Sequence, residues 1–396
     1  MAAKFTRPLT MRIDIVTETW PPEINGVALT VHALARGLQS RGHELAVWRP
    51  RQSGERGDGE AMTVTEYGWR EYALPGLGLP RYPGLRFGLP AGRALSRGWR
   101  VDPPQAIYVA TEGPLGRSAV QTAARRGIPA ATGFHTRFDD FARHYGVGFL
   151  TSSVFAYLRR FHNRGDATLV PTGELQKQLT DSGFSRVRLL RRAVDTVAFN
   201  PSHRDESLRA SWGVSPDQLV MLHVGRLAPE KNLELLLESY TQLKARNPEL
   251  KLVIVGDGPA RESLQRANPE VVFTGALRGE ALSKHYASGD LFVFPSLTET
   301  FGNVTMEAMA SGLAVVAFDY GAAREHIDSG DTGRTVGFAD EEAFVDAVLH
   351  VGSSLDGCRA MGQRAFESVR ELTPDAVTEH FDALLNELVE ARASAA

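Results

Sequence analysis

Apolar runs of strand length alternate with amphipathic helical patterns along most of the chain. The first half opens with the run "MRIDIVTE", continues with a helical pattern over "VALTVHALARGLQSRG" and returns to an apolar run at "HELAVWRP". This order predicts a βαβ unit, the building block of parallel sheets. Further strands are predicted at "QAIYVATEG", "IPAATGFH", "ATLVPTG" and "VRLLRRAVD". Residues 51–104, rich in Gly, Pro and Arg, predict loops with one or two short basic helices.

The alternation begins again after "DTVAFNPSHRDE", a stretch typical of a linker. The second series of predicted strands is "QLVMLHVGRL", "KLVIVGDG", "VVFTGA", "LFVFPS" and "LAVVAFD". We therefore expect two doubly wound, Rossmann-like α/β domains at 1–195 and 196–370. A C-terminal amphipathic helix, 371–396, could pack on either domain, including a return to the first. Because such sheets bind ligands at the carboxyl ends of their strands, two domains facing across a cleft would place a site between them.

Composition narrows the class of protein. The chain is 43% hydrophobic and 23% charged, and its one cysteine, Cys358, cannot form a disulfide within the chain. The first residues lack the pattern of a secretory signal, and no stretch reaches the roughly 20 apolar residues that cross a bilayer. We expect a cytoplasmic protein that does not span a membrane.

Two candidate phosphate-binding features follow predicted strands. Asn25 and Gly26 open the first helix, where free N–H groups and the helix dipole favour a phosphate. The turn lacks GxGxxG, which disfavours an NAD enzyme. In the second half, Arg226 and Lys231 lie five positions apart after a strand, where they could clamp a diphosphate without a metal. The simpler alternatives are a plain turn at Gly26 and solvated charges at the two cations.

Two glutamates eight positions apart form the most informative motif. In "LFVFPSLTETFGNVTMEAMASG", Glu299 lies in the predicted loop and Glu307 about one turn into the predicted helix. The N–H groups of Phe301, Gly302 and Asn303 at the helix start have no intrahelical acceptor. A carboxylate can accept from two vicinal hydroxyls, so the pair could bind a ribose and a hexose. Alternatively, Glu299 complements the helix dipole and Glu307 occupies a surface position.

Together these motifs resemble the retaining glycosyltransferases of family 4, which have the GT-B fold. The resemblance spans nearly the whole chain and includes "PPEINGVALTVHALARGL", "VGRLAPEKN", "IVGDGP" and "ETFGNVTMEAMASGLAVV" in the family order. It implies that the first domain binds the acceptor and the second the nucleotide sugar. It also implies the donor-binding roles of these residues: Asn25, Gly26, Arg226, Lys231, Phe301, Gly302, Asn303 and Glu307. Glu299 would bind the hexose hydroxyls.

The resemblance also assigns a role to His135 in "GFHTRFDDF". The family histidine at this place lies beside the transferred sugar, so we expect His135 and Glu299 to be the catalytic residues. A structural histidine is the alternative. Retaining glycosidases use two carboxyl groups about 5 Å apart, and the sequence offers no second carboxylate for the acceptor side. We therefore expect a front-side displacement in which the diphosphate takes the acceptor proton. No Asp-x-Asp occurs, so we expect no metal and no cofactor beyond the UDP-hexose or GDP-mannose co-substrate.

The acceptor is expected to be a lipid. The region from "FHTRFDDF" to "LVPTGE" resembles the subgroup of sulfoquinovosyl- and glycosyl-diacylglycerol synthases and related mannosyltransferases. Residues 1–200 hold 27 Lys and Arg against 17 Asp and Glu, and arginines within 81–100 and 159–164 alternate with aromatic residues. This basic half could bind an anionic membrane at its cytoplasmic face, or it could be a solvated surface. Nucleic acid is not expected, because no RNA-binding motif is present and the acidic second half would repel it.

Three functions remain open at this point. The first is a metal-independent hexosyltransferase that makes a diacylglycerol-type glycolipid at the cytoplasmic face of the inner membrane. The second is a GDP-mannose-dependent α-mannosyltransferase of lipopolysaccharide or polysaccharide assembly. The third is a nucleotide-sugar-binding protein without turnover.

Overall fold

The chain folds into two compact α/β units. The computed structural model describes residues 10–23, 26–52, 55, 61–78, 86–135, 148–299 and 301–395. The first unit comprises Met1–Arg192 and Pro374–Ala396, and the second comprises Ala193–Thr373. Each unit has its own sheet, with helices packed on it.

The sheet of the first unit has eight strands in the order β10-β9-β8-β7-β1-β2-β4-β3. Neighbouring strands are parallel except β3, which pairs antiparallel with β4. A separate antiparallel hairpin joins β5 and β6. The strands are β1 Arg12–Val16, β2 Glu44–Pro50, β3 Ala61–Val64, β4 Arg70–Leu74, β5 Gly76–Gly78, β6 Arg86–Gly88, β7 Ala106–Val109, β8 Ala130–Gly133, β9 Ala167–Val170 and β10 Val187–Leu189.

Helices cover both faces of this sheet. They are Gly26–Ser40, Gly92–Val101, Pro114–Arg126, Gly148–His162, Gly173–Asp181 and Pro374–Ala395. Side chains alternate between the faces of β1, so Ile13 and Ile15 join one core while Val16 joins the other. The buried carboxylate of Asp14 accepts hydrogen bonds from the indole N–H groups of Trp48 (2.6 Å) and Trp99 (2.7 Å). This contact joins β1, β2 and the helix Gly92–Val101.

The prediction of loops for residues 51–104 is wrong for much of the described part of that range. It contains the strands β3 to β6 and a single described helix, Gly92–Val101. The strands are three to five residues long, and glycines in β5 and β6 mask any alternation of apolar and polar positions. They form because β2 offers an edge for β4, with Trp48 opposite Tyr72 and the two rings stacked 4.0 Å apart.

The C-terminal helix, Pro374–Ala395, packs in the first unit against the helix Gly26–Ser40. Its buried residues Phe381, Leu384 and Leu385 belong to the core around β1. Gly37 permits the close approach, because a Cβ at that position would lie 2.2 Å from the Thr378 hydroxyl oxygen. The ring of Phe381 meets that of Tyr108 edge to face, with the centroids 5.0 Å apart.

The sheet of the second unit is entirely parallel. Its six strands have the order β13-β12-β11-β14-β15-β16, so the direction of winding reverses between β11 and β14. This is the order of the dinucleotide-binding fold, in which ligands bind beyond the carboxyl ends of the strands at the reversal. The strands are β11 Val220–Val224, β12 Lys251–Val255, β13 Val272–Gly275, β14 Leu291–Phe294, β15 Ala314–Phe318 and β16 Arg334–Val336.

Helices also cover both faces of the second sheet. The α-helices are Glu206–Ser211, Leu233–Arg246, Arg261–Ala267, Gly279–Ala287, Asn303–Ala310, Gly321–His326, Glu341–Val351 and Leu355–Val369, with 3-10 turns at Pro201–His203 and Pro229–Lys231. A buried ion pair joins Arg209 and Asp290 at 3.1 Å, and Arg359 donates to the other oxygen of Asp290. Asp290 thereby connects two helices to the start of β14. None of the described helices is long and apolar enough to cross a membrane.

Phe381 provides a test of the packing of the C-terminal helix. Phe381→Ala should destabilise the first unit by about 3 to 5 kcal/mol, because it removes a fully buried aromatic side chain from the core. His380→Ala, an exposed neighbour on the same helix, should change stability by less than about 0.5 kcal/mol. Urea denaturation of both variants would measure the difference, and equal stabilities would contradict this packing.

Candidate active site

The predicted donor-binding residues of the second unit follow two neighbouring parallel strands. Arg226 and Lys231 follow β11, whereas Glu299 and the start of the helix Asn303–Ala310 follow β14. Strands β11 and β14 pair directly, with Met221 opposite Leu291. All these residues therefore follow the carboxyl ends of the two strands that flank the reversal of winding, the position where open α/β sheets bind ligands.

Lys231 and Glu299 form an ion pair. The Lys231 ammonium contacts Glu299 Oε1, and the two side chains are 13% and 17% exposed. Ser296, which is buried, lies between them: its hydroxyl donates to Glu299 Oε1 at 2.9 Å and accepts from Lys231 at 3.4 Å. The ammonium also lies 5.5 Å from the centre of the Phe294 ring. The structure thus brings together Lys231, which is predicted to bind the diphosphate, and Glu299, which is predicted to bind the hexose.

The start of the helix Asn303–Ala310 presents backbone donors. Gly302 has a φ of 95°, a left-handed conformation that favours glycine. Within the described part of the chain, the N–H groups of Phe301, Gly302 and Asn303 make no hydrogen bond, as expected for the first residues of a helix. Phe301 is buried, and its carbonyl accepts from Ala322 N–H at 2.7 Å. The turn is therefore anchored while its N–H groups remain available to an anion.

Glu307 lies one turn into this helix and is partly buried. The hydroxyl of Tyr286, from the helix Gly279–Ala287, donates to Glu307 Oε2 at 2.8 Å. Burial raises the pKa of the Glu307 carboxyl, whereas the hydrogen bond from Tyr286 acts in the opposite direction. Tyr286 holds one oxygen of the carboxylate and leaves Oε1 as an acceptor for ligand hydroxyls.

Arg226 is exposed. Its guanidinium has no hydrogen-bond or ion-pair partner among the described residues. An unpaired cation beside the reversal of winding is suited to an anionic ligand. In the first unit, the helix Gly26–Ser40 begins at the exposed Gly26, and Asn25 lies outside the described residues.

His135 follows β8 in the first unit, and both of its ring nitrogens have protein partners. Arg192 Nη2 lies 2.9 Å from Nδ1, and the Tyr108 hydroxyl lies 3.0 Å from Nε2. A guanidinium only donates, so Nδ1 must accept and the proton of the neutral ring must lie on Nε2. Burial, together with the positive charge of Arg192 and a further electrostatic effect of the neighbouring His162, holds the pKa of His135 well below its ordinary value of 6.5. The imidazole is therefore neutral and is not placed to act as a general base.

Two carboxylates that sequence reasoning missed, Glu18 and Glu112, follow β1 and β7, the neighbouring strands at which this sheet reverses its winding. Leu115 N–H, at the start of the helix Pro114–Arg126, donates to Glu18 Oε1 at 2.9 Å. Gly113 leaves room for this contact, because a Cβ there would lie 1.7 Å from Glu18 Oε2. Burial raises the pKa of Glu18 to about 7, against the opposing effect of two backbone N–H groups.

The sequence contained a usable signal for some of the missed residues. Glu18 and Glu112 directly follow predicted strands, as His135 does, and could have been selected by that rule. Tyr108, Arg192 and Tyr286 carry no such signal, because their importance arises from contacts between distant segments. Ser296 lies only 3 residues from Glu299, but its contact with Lys231 joins residues 65 positions apart. Among the described residues, no group of three or more His, Cys, Asp or Glu could hold a metal ion. Metal independence stays a prediction.

Comparison with known proteins decides the family. Residues 24–198 match the family model described as Glycosyltransferase Family 4, and residues 218–353 match the model described as Glycosyl transferases group 1. The chain is 38% identical over 347 residues to a GDP-mannose-dependent alpha-mannosyltransferase of Mycolicibacterium smegmatis, covering 86% of this chain and 88% of that protein. The chain is a family 4 glycosyltransferase. The family predicted from the sequence motifs is confirmed.

Other likenesses of this glycosyltransferase agree with the prediction. It is 26% identical over 324 residues to an alpha-monoglucosyldiacylglycerol synthase of Streptococcus pneumoniae, covering 78% of this chain and 71% of that protein. Its fold resembles sucrose-phosphate synthase from Thermosynechococcus elongatus, with a TM-score of 0.76, 18% identity and coverage of 96% of this chain and 100% of that chain. The prediction of two Rossmann-like domains of the GT-B type is confirmed.

Glu18 gives the glycosyltransferase a testable pH dependence. Its pKa rises from 4.5 to about 7 on folding, so the folded chain holds this proton more tightly than the unfolded chain. Stability is therefore fully present below pH 4.5 and falls as pH rises towards 7, by at most about 3 kcal/mol. Glu18→Gln should remove this loss. Urea denaturation at pH 5 and pH 8 should show a smaller decrease in the free energy of unfolding for the variant than for the wild type. An equal decrease in both proteins would contradict the raised pKa of Glu18.

Proposed function

We propose that this glycosyltransferase transfers mannose with retention from GDP-mannose to a lipid acceptor at the cytoplasmic face of the inner membrane. The observation that carries the proposal is the Lys231 and Glu299 pair at the sheet edge where Arg226 and the start of the helix Asn303–Ala310 also follow strands, in a chain 38% identical to a GDP-mannose-dependent enzyme. The donor base and sugar follow that relative. The lipid acceptor rests on the first unit, described below.

In this proposal the donor binds along the carboxyl edge of the second sheet. Arg226 and Lys231 bind the diphosphate, and the N–H groups of Phe301, Gly302 and Asn303 complete its cradle. Glu307 accepts from the ribose hydroxyls, with Tyr286 orienting its carboxylate. Glu299 accepts from a mannose hydroxyl. Each of these protein groups has donor or acceptor atoms that its contacts with the described residues leave wholly or partly unused.

The chemical step is a front-side displacement at the anomeric carbon. The bond from that carbon to the diphosphate oxygen breaks, and the bond to the acceptor oxygen forms on the same face. The acceptor proton passes to the leaving diphosphate, which accumulates negative charge as it departs. Stabilisation of that charge by Arg226, Lys231 and the helix start supplies the main catalytic contribution and needs no metal in this proposal. His135, as a neutral imidazole, supports the transfer without taking the proton.

Two basic grooves of the first unit support an anionic lipid surface as partner. One, of about 320 Å³, lies between the helices Pro114–Arg126 and Gly148–His162 and is lined by Arg117, Arg160 and Arg164 together with Tyr157 and Phe161. The Arg117 guanidinium lies 5.7 Å from the centre of the Tyr157 ring. Among the described residues, those that line this groove include no carboxylate. A cationic groove with an aromatic floor suits the phosphate and upper chain of an amphiphile.

The second groove, of about 950 Å³, is formed around the helix Gly92–Val101. Arg93, Arg97 and Arg100 line it at a spacing of four and three residues, and Arg125 joins them from the next helix. The opposite side of the helix buries Leu95 and Trp99. This segment is therefore a basic amphipathic helix fixed to its unit by its apolar face, with its cations directed outwards.

A second candidate is transfer of a hexose from a UDP-sugar to diacylglycerol. The likeness to the alpha-monoglucosyldiacylglycerol synthase favours it. Both candidates use the same residues and differ in the base, the sugar and the lipid. A nucleotide-sugar-binding protein without turnover is less well supported, because the predicted donor ligands are all present in the sequence.

Nucleotide binding and product analysis test the donor. GDP and GDP-mannose should raise the melting temperature more than the UDP and ADP counterparts at equal concentration. The enzyme is incubated with a membrane lipid extract and either GDP-mannose or UDP-glucose, and the lipids are examined by mass spectrometry. A hexose-bearing lipid should form with GDP-mannose only. A product formed with UDP-glucose alone would favour the second candidate, and lack of stabilisation by any nucleotide would contradict both.

Glu307→Gln separates donor binding from transfer. Loss of a carboxylate acceptor for hydroxyls should weaken GDP binding by about tenfold. His135→Ala should leave GDP affinity within about twofold and lower kcat, because His135 belongs to the transfer step in this proposal. Glu262→Gln, on an exposed helix of the same unit, serves as the matched control. Isothermal titration and initial rates give both quantities, and equal losses of GDP affinity in the first two variants would refute these roles.

The membrane partner is tested by co-flotation with liposomes. Arg160→Glu with Arg164→Glu should abolish binding to vesicles that contain phosphatidylglycerol, and binding by the wild type should fall with salt. The control with the same charge change is Arg246→Glu with Arg266→Glu, at exposed positions of the second unit. Equal flotation of all three proteins would exclude this groove as the lipid-binding surface.

A further inference from the structure

Arg192 is a buried cation in contact with His135. It follows β10 as the last residue before the second unit, and only 6% of its surface is exposed. No ion pair to a carboxylate is found for its guanidinium among the described residues. Its Nη1 atom is buried and has no hydrogen-bond partner there. Burial lowers the pKa of the guanidinium, although an arginine stays protonated near neutral pH.

Such a group is costly to bury. A charge removed from water normally gains a counter-ion and several hydrogen bonds, as Arg209 does with Asp290 and with the carbonyls of Ser288 and Gln218 in the second unit. Arg192 instead directs Nη2 at the imidazole of His135. Charge pairing with the described residues therefore does not account for its burial, whereas its contact with His135 gives it a defined partner.

That effect follows from hydrogen-bond chemistry. Because Arg192 only donates, His135 Nδ1 must be the unprotonated nitrogen, and Nε2–H then donates to the Tyr108 oxygen. Tyr108 is itself held by the Phe381 ring. Gly133 leaves space for this arrangement, because a Cβ there would lie 2.3 Å from the Tyr108 hydroxyl and 2.6 Å from Nε2.

We propose that Arg192 is a positioning residue that holds His135 as the neutral tautomer protonated on Nε2. The inference rests on the proposed glycosyl transfer, in which His135 supports the transferred sugar and must not take the acceptor proton. A protonated imidazole would place a second positive charge beside Arg192, and the other neutral tautomer would direct an N–H at the guanidinium. Arg192 excludes both states, so the acceptor proton passes to the leaving diphosphate.

Two substitutions at Arg192 separate its charge from its shape. Arg192→Met keeps the length of the side chain and removes both the donor and the charge. Arg192→Lys keeps the charge and one donor but loses the planar fork. Arg191→Met, at the exposed neighbouring arginine, is the matched control. Binding of GDP measured by titration should stay within about twofold of wild type in all three, because the proposed donor ligands lie in the second unit.

The direct measurement is the ¹⁵N spectrum of the imidazole rings, with His135 identified by comparison with His135→Gln. In the wild type, His135 should show a protonated Nε2 and an unprotonated Nδ1, unchanged between pH 7.5 and pH 5.5. Among the described residues, Tyr108, Arg192 and His162 are the titratable groups that face it. In Arg192→Met the pKa of His135 should rise, although burial, the larger cause, still holds it below its ordinary value, and loss of the donor should let the tautomer protonated on Nδ1 appear in the spectrum. Arg192→Lys should restore the low pKa.

Kinetics complete the test. Arg192→Met should lower kcat roughly ten- to a hundredfold with little change in KM for the nucleotide sugar, and Arg192→Lys should recover part of the loss. A wild-type His135 protonated on Nδ1 would overturn the inference, as would wild-type ¹⁵N signals and kcat in Arg192→Met. If Arg192→Met does not fold, the wild-type spectrum and Arg192→Lys still decide the tautomer. Absence of transfer by the wild type would refute the proposed function. The ¹⁵N spectra report the tautomer of His135 independently of transfer, so the two failures can be distinguished.

Discussion

A parallel sheet covered by helices on both faces allows polar side chains few positions. Within β11 and β14 every residue is buried, and all but His223 are apolar. Charged and hydroxyl groups therefore concentrate where the strands end and the backbone turns into the next helix. In the second unit this constraint brings Arg226, Lys231 and Glu299 to one edge of the sheet. In the first unit it brings Glu18 and His135 to the corresponding edge.

The polar groups at these edges are held by second groups that the chemistry itself does not use. Ser296 fixes Glu299, Tyr286 fixes Glu307, and Arg192 fixes His135. Tyr286 lies 21 residues from Glu307 and Arg192 lies 57 residues from His135, whereas Ser296 lies only 3 residues from Glu299. In the proposed mechanism, a mutation in such a support would leave the supported groups in place but let them adopt other rotamers or protonation states, which is enough to slow a reaction that depends on orientation.

The course of the chain was predictable from the sequence because apolar runs in parallel sheets are long and contrast sharply with helical patterns. The antiparallel pair of β5 and β6 and the edge strands β3 and β4 were not predictable, because these strands are short and form only where β2 offers an edge. The ion pair of Lys231 with Glu299 could have been predicted from the motifs, since both residues were assigned to one nucleotide-sugar ligand. The link between Arg192 and His135 was not, because it joins segments 57 residues apart through a contact that no local pattern encodes.

The ion pair of Lys231 with Glu299 has a consequence for the order in which parts of a ligand are accepted. While the ammonium engages Glu299, that carboxylate is partly neutralised and is a weaker acceptor for a sugar hydroxyl. A phosphate that binds Lys231 competes with Glu299 for the ammonium and releases acceptor capacity on the carboxylate. Under the proposed donor-binding roles, recognition of the hexose would thereby depend on the diphosphate, because a sugar without its nucleotide would meet a carboxylate paired with the ammonium. The ion pair would then discriminate activated from unactivated sugars by exchanging one anionic partner of the ammonium for another.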